Sequence, residues 1–172
     1  MSAMRAHLWR SLLSTVGGGA AIGLALLLAG PGMSPFLLAS LGASTVILFV
    51  FTETSAAQPR ALLGGHLSAA LIGIVCQQLW GDALWVYALA LALSVLLMLL
   101  TRCVHPPAGA NALIMVHQHA GYAALLQPVL IGVLSLALVA MVWSRLLPQQ
   151  KPWPQRWTAA SPSSDDWGSW RL

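Results

Sequence analysis

The sequence predicts an all-α fold: a polytopic transmembrane helical bundle of five to six membrane segments, one of them short or broken. Three observations lead there. Of 172 residues, 58% are hydrophobic and 7% charged, whereas a soluble domain carries about 25% charged residues. A water-facing surface cannot be built from so few charges, so most of the exterior must face lipid. Apolar residues also gather into six runs, roughly 11–29, 35–52, 61–80, 83–101, 105–117 and 122–145. Five of these approach the ~20 residues that span hydrocarbon. Finally, turn-forming stretches separate most of the runs, and several runs carry proline at or near their first turn.

The first run follows Arg5 and Arg10. Its opening also fits a signal peptide, but the later runs already demand insertion, so an uncleaved helix is the simpler reading. "GPGMSP" (30–35) separates it from the second run, which starts near Pro35 and carries Ser40, Ser44 and Thr45 on its small-residue side. Those hydroxyls suit either the lining of a pathway or ordinary interhelical contacts. After "TETSAAQPR" (52–60), the third run holds Gly64, Gly65 and His66. An ionisable group inside a membrane segment is costly and is a functional candidate by default; a hydrogen-bonded interhelical histidine is the structural alternative. Glu53 and Arg60 can pair at the membrane surface or remain solvated.

"WGD" (80–82) turns the chain into the fourth run. The fifth, His105 to Val116, is only 12 residues, about 18 Å as a helix, and is the short segment. "HQHAGY" (117–122) precedes the sixth. His117-x-His119 is half a metal site with no further ligand near in sequence, so no metal is expected. Residues 1–145 therefore read as a transmembrane domain. Residues 146–172 read as an irregular Trp/Pro/Ser-rich cytoplasmic tail, whose tryptophans touch the headgroup layer or pack on the cytoplasmic face.

Charge sets the expected topology. With the N-terminus cytoplasmic, six crossings place Arg60, Arg102, Arg145, Lys151 and Arg156 on that same side, and Asp82 with the His117/His119 turn on the other. That agrees with the positive-inside tendency and points to a bacterial inner membrane with both termini cytoplasmic. A re-entrant 105–117 segment would put the tail outside. "PFLLASLGASTVILF" (35–49) and "HPPAGANALIMV" (105–116) also echo one another, each opening on proline and carrying Gly-Ala-Ser or Gly-Ala-Asn. Three segments separate them, so the copies would be inverted, as in many transporters; chance similarity among Gly/Ala-rich helices is the alternative.

The densest chemistry lies in "RCVHPPAGANALI" (102–114). Pro106 and Pro107 lack amide donors and favour a helix start. The amides of Ala108 and Gly109, and at most that of Ala110, would then be unpaired and attract an anion. Gly109 allows close approach, His105 stands at the N-cap position, Asn111 offers amide donors, and Arg102 and Arg60 add fixed positive charge. The same residues also suit a purely structural turn. No catalytic residue is expected: the Ser-, zinc-, nucleotide- and dinucleotide-binding signatures are absent, and only Glu53 and Asp82 are acids outside the tail. The eight scattered lysines and arginines form no nucleic-acid patch. Cys76 and Cys103 read as small buried hydrophobes rather than a disulfide. No cofactor is expected.

"HPPAGANALI" (105–114) resembles the signature of the HPP family of integral membrane proteins. "AQPRALLGGHL" (57–67) and "LGASTVILF" (41–49) are similar to that family's Gln-Pro-Arg/Gly-Gly-His and Gly-Ala-Ser stretches. Three motifs in order make the resemblance specific over roughly residues 10–145; Asn111 stands where many members carry a small or hydroxyl residue. Cyanobacterial and chloroplast members are described as nitrite transporters, and the family is usually described with four transmembrane segments. The resemblance implies an integral membrane transporter of nitrite or a similar small anion in a lipid bilayer; a chain this short can hardly enclose a wide pathway, so a homo-oligomer is expected. Ser44, Arg60, His66, Arg102, His105 and Asn111 are its candidate residues, around a helix that starts at Pro106. A passive small-solute channel and a non-transporting membrane assembly protein are the competing classes.

Overall fold

A computed structural model describes residues 3–30, 35–147 and 150–162. Those residues form six α-helices: α1 (Ala3–Ala29), α2 (Pro35–Phe49), α3 (Pro59–Trp80), α4 (Leu84–Thr101), α5 (Gly109–His117) and α6 (Ile131–Leu146). Residues 31–34 of the "GPGMSP" turn, and the tail tryptophans Trp167 and Trp170, lie outside the described residues.

Prolines set the helix starts as their chemistry requires. Pro59 opens α3, and Pro106 opens a 3-10 turn (Pro106–Ala108) that runs straight into α5. Before α6, residues 125–130 wind as a wider π-type turn, and Gln127 leaves helical dihedrals (φ −131°, ψ 116°) directly before Pro128, where the ring disfavours the α region. Gly81 ends α3 at φ 77°, a conformation that glycine adopts without the Cβ penalty.

Four helices are long and apolar enough to cross a membrane: Met4–Ala29, Pro59–Trp80, Leu84–Thr101 and Leu125–Leu146. Of the five to six expected segments, α2 and α5 fall short of that length. At 15 residues α2 is about 22 Å long, and α5 with its leading turn is about 18 Å. Even so, α5 travels from one end of the bundle to the other. Its start packs on the beginning of α3, where a Cβ at Gly65 would lie 3.3 Å from the Ala108 Cβ. Beyond its last turn, His119 meets Gln77 and Asp82 at the far end of α3. The six helices thus alternate in direction, and α2 and α5 run in opposite senses, as the inverted echo requires.

Packing follows membrane rules rather than soluble ones. Large apolar side chains point outward: Leu27, Leu84 and Leu100 are 81%, 90% and 73% exposed. The interior is filled instead by small residues that let backbones approach. A Cβ at Gly17 would lie 2.7 Å from Phe49, one at Gly132 2.7 Å from Leu41, and one at Gly73 2.9 Å from the Ala112 Cα. One core joins α1, α2, α3, α5 and α6 around Leu41, Ile74, Met115 and Leu136; a second joins α3, α4 and α5 around Val86, Ala90 and Val116.

The described tail is not helical but is docked. Trp153 is 2% exposed, and its indole N–H donates to Ala57 O at 2.8 Å. Ser144 Oγ accepts from the Trp153 amide at 2.8 Å, and Gln58 Oε1 accepts from the Gln155 and Arg156 amides. Ser161 exchanges bonds with Arg102 (Ser161 N to Arg102 O, 3.0 Å; Arg102 Nε to Ser161 O, 2.8 Å). Of the two alternatives for the tail, Trp153 takes packing onto the protein.

Candidate functional site

Four polar side chains meet where α2, α3 and α5 converge. Ser44 comes from the Gly-Ala-Ser of α2 and Asn111 from the Gly-Ala-Asn of α5, so the third residue of each echoed motif reaches the same place. His66 comes from α3 and His105 from the turn before α5. All four are fully buried. Gly65 makes the convergence possible: a Cβ there would sit 2.9 Å from the His105 Cβ and 3.1 Å from Cys103 O.

The contacts form a chain. Ser44 Oγ lies 2.9 Å from His66 Nε2 and 2.9 Å from His105 Nε2, and 3.0 Å from Ser40 O. His105 Nδ1 is 2.7 Å from Ala56 O, and Asn111 Nδ2 is 2.9 Å from His66 Nδ1. The two rings stand 5.0 Å apart, tilted by 47°. Ser40 Oγ donates to Pro107 O at 2.8 Å, tying α2 to the HPP turn.

Proton counting orders this chain. Ala56 O can only accept, so His105 Nδ1 must carry hydrogen, and neutral His105 then accepts at Nε2. In a neutral centre the one hydroxyl proton of Ser44 goes to His105 Nε2 rather than to Ser40 O, the competing acceptor at 3.0 Å. His66 must then donate from Nε2 to Ser44 Oγ, so its Nδ1 accepts from the Asn111 amide. The result is one run of donors: Asn111 to His66 to Ser44 to His105 to Ala56. A reversed Asn111 amide would force a proton onto His66 Nδ1 and a second ring proton onto His105, making it a cation. A neutral centre therefore sets the amide orientation, which the hydrogen-bond network decides. In that orientation Asn111 Oδ1 is buried without a hydrogen-bond partner among the described residues.

Other expected participants lie elsewhere. Arg60 Nη2 donates to Thr101 O at 2.7 Å. Arg102 closes α4 in the left-handed region (φ 54°, ψ 42°) and turns its guanidinium to the tail. Neither contacts the four-residue centre. The HPP helix start is also not the open amide cradle that proline spacing predicts. Ala108 N donates to His105 O at 2.9 Å, and Gly109 N reaches Pro106 O and Pro107 O. Those carbonyls curl back as a 3-10 turn and take up the donors. His105 makes no side-chain cap bond to that turn; its ring points across to Ser44 instead. Gly109 admits α4, its hypothetical Cβ lying 3.4 Å from Leu91 Cδ1. Glu53 pairs with Lys151 at 2.7 Å rather than with Arg60.

A recess of about 790 Å³ opens between the first half of α1 and the end of α2, lined by Arg10, Ser14, Thr15, Thr45, Glu53 and Lys151 among others. Thr45 faces this recess while its neighbour Ser44 faces the histidines, so α2 stands between the two. The roles of Ala56 as acceptor and of Trp153 above it had no signal in the sequence beyond the tail's tryptophan content.

An all-helical bundle with lipid-type exterior, four spanning helices and a buried polar centre is a polytopic integral membrane protein. Residues 3–154 match the family described as HPP, transmembrane region, and the chain belongs to that family. Two transmembrane proteins of Dictyostelium discoideum are similar to it: one is 36% identical over 129 residues, covering 70% of this chain and 45% of that protein; the other is 34% identical over 130 residues, covering 71% and 42%. The chain thus matches less than half the length of these relatives. No solved structure matches it.

Proposed function

We propose that this HPP-family chain transports a small monovalent anion, nitrite foremost, across the membrane. The observation that carries this reading is the fully buried Ser44–His66–His105–Asn111 network at the convergence of two oppositely directed motif helices and α3. Buried polar groups at membrane depth are retained where a solute or proton passes, and inverted elements meeting at such a centre are a transporter arrangement. The ligating role moves from the Pro106 helix start to this network. Arg60 and Arg102, at the end of the bundle where α3 begins and α4 finishes, supply a positive field that concentrates anions there. We place both termini in the cytoplasm of a bacterial inner membrane, with homo-oligomers as the working assembly. Nitrite uptake into proteoliposomes tests the reading: His105→Ala and Asn111→Leu lower it at least tenfold. Unchanged flux in variants that remain folded removes the site.

A further inference from the structure

We propose that the solute crosses the centre as a neutral conjugate acid, its O–H donating to the unpartnered Asn111 Oδ1. The inference rests on the transport reading and names the species that the site accepts. Every donor along Asn111, His66, Ser44 and His105 has an acceptor within the network, so none remains for a bare anion. The remaining capacity is an acceptor, Asn111 Oδ1, fully buried and without a partner among the described residues. An amide oxygen repels an anion and takes a hydrogen-bond donor.

The surroundings add no charge that would favour an anion. The groups facing the network are Ser40 and Ser44 from α2, His66 from α3, the Ala56 carbonyl from the turn before α3, and Asn111 from α5. Arg60 and Arg102 are engaged with backbone carbonyls elsewhere, the Cys103 thiol turns to Thr101 O, Glu53 is held by Lys151, and Asp82 sits at the opposite end beside His119. An uncompensated anion in a buried apolar setting is strongly disfavoured, whereas a small acid such as nitrous acid brings its own donor. The chemistry balances without an oxidant or reductant: a proton bonds to the anion's oxygen on entry and leaves it on exit. One proton accompanies each anion, and no net charge moves.

The test loads proteoliposomes with valinomycin and potassium, so that membrane potential and pH gradient are set independently, and follows nitrite. Protein-free liposomes subtract passive acid leakage. The expected result is protein-dependent uptake driven by an inward proton gradient and unchanged by a membrane potential of either sign. Uptake that follows the potential overturns this inference and leaves the transport reading standing; absence of protein-dependent uptake overturns both. A second measurement needs no transport: histidine ¹⁵N spectra of the wild-type protein in nanodiscs at neutral pH should show neutral His105 protonated at Nδ1 and neutral His66 protonated at Nε2. An imidazolium signal from either residue overturns the neutral centre.

Discussion

Ser44 is the smallest member of the central network and the one on which its proton order turns, because two imidazole nitrogens share one hydroxyl. Ser44→Ala leaves His105 Nε2 without a donor and His66 Nε2–H without an acceptor. Losing a buried partner costs about 1–3 kcal/mol, so the variant should unfold at lower denaturant, and its His66 tautomer preference should weaken in ¹⁵N spectra, since only the Asn111 amide then fixes it. Glycines give a sharper contrast. Gly65→Ala would place a methyl 2.9 Å from the His105 Cβ and should cost about 1–3 kcal/mol by overpacking. Gly19→Ala meets nothing within 4 Å and should leave the unfolding midpoint of the isolated protomer unchanged or slightly raised. At this scale the sequence is partly legible. His66 stands out as an ionisable residue in an apolar run, and His105 and Asn111 stand out by motif. The direction of each guanidinium was not legible. Arg60 and Arg102 sit at helix ends where free carbonyls compete for them, and only the fold shows that the carbonyls win.

Among elements, α5 and the tail depart furthest from what spacing implies. The length of α5 is plain from the distance between His105 and the polar "HQH", but the pairing of its first amides is not. Prolines remove donors without removing acceptors, and the carbonyls of Pro106 and Pro107 close the turn. The tail composition signals irregular structure correctly, yet composition has no period from which docking can be inferred. Trp153 provides that docking: its ring is buried over the turn whose Ala56 carbonyl anchors His105, and its N–H bonds the adjacent Ala57 carbonyl. Trp153→Ala should cost about 3–5 kcal/mol if the bundle stays intact. Backbone hydrogen exchange at residues 55–58 should rise with it, whereas that of α4, remote from the ring, should not. Equal acceleration in both regions would mean that Trp153 supports the whole bundle rather than this cap.

On the scale of the whole molecule, chain direction and charge agree. The described basic residues Arg60, Arg102, Arg145, Lys151 and Arg156 gather at the end where α1 begins and α6 finishes, while Asp82 and His119 pair at the other. This follows from α5 running the length of the bundle; a hairpin there would return residue 118 to the basic end and send the tail to the opposite face. The two arrangements are separable with single cysteines in a background lacking Cys76 and Cys103. Gln118 and Thr158 are both exposed, so each can react with a maleimide that does not cross lipid. In sealed vesicles of one orientation, Gln118→Cys should label from one side, and Met4→Cys and Thr158→Cys from the other. A hairpin predicts instead that Met4→Cys and Gln118→Cys share a side and that Thr158→Cys lies opposite. The outcome also bears on the central site: only a traversing α5 carries Asn111 between the two faces, where a solute passing from one to the other must meet it.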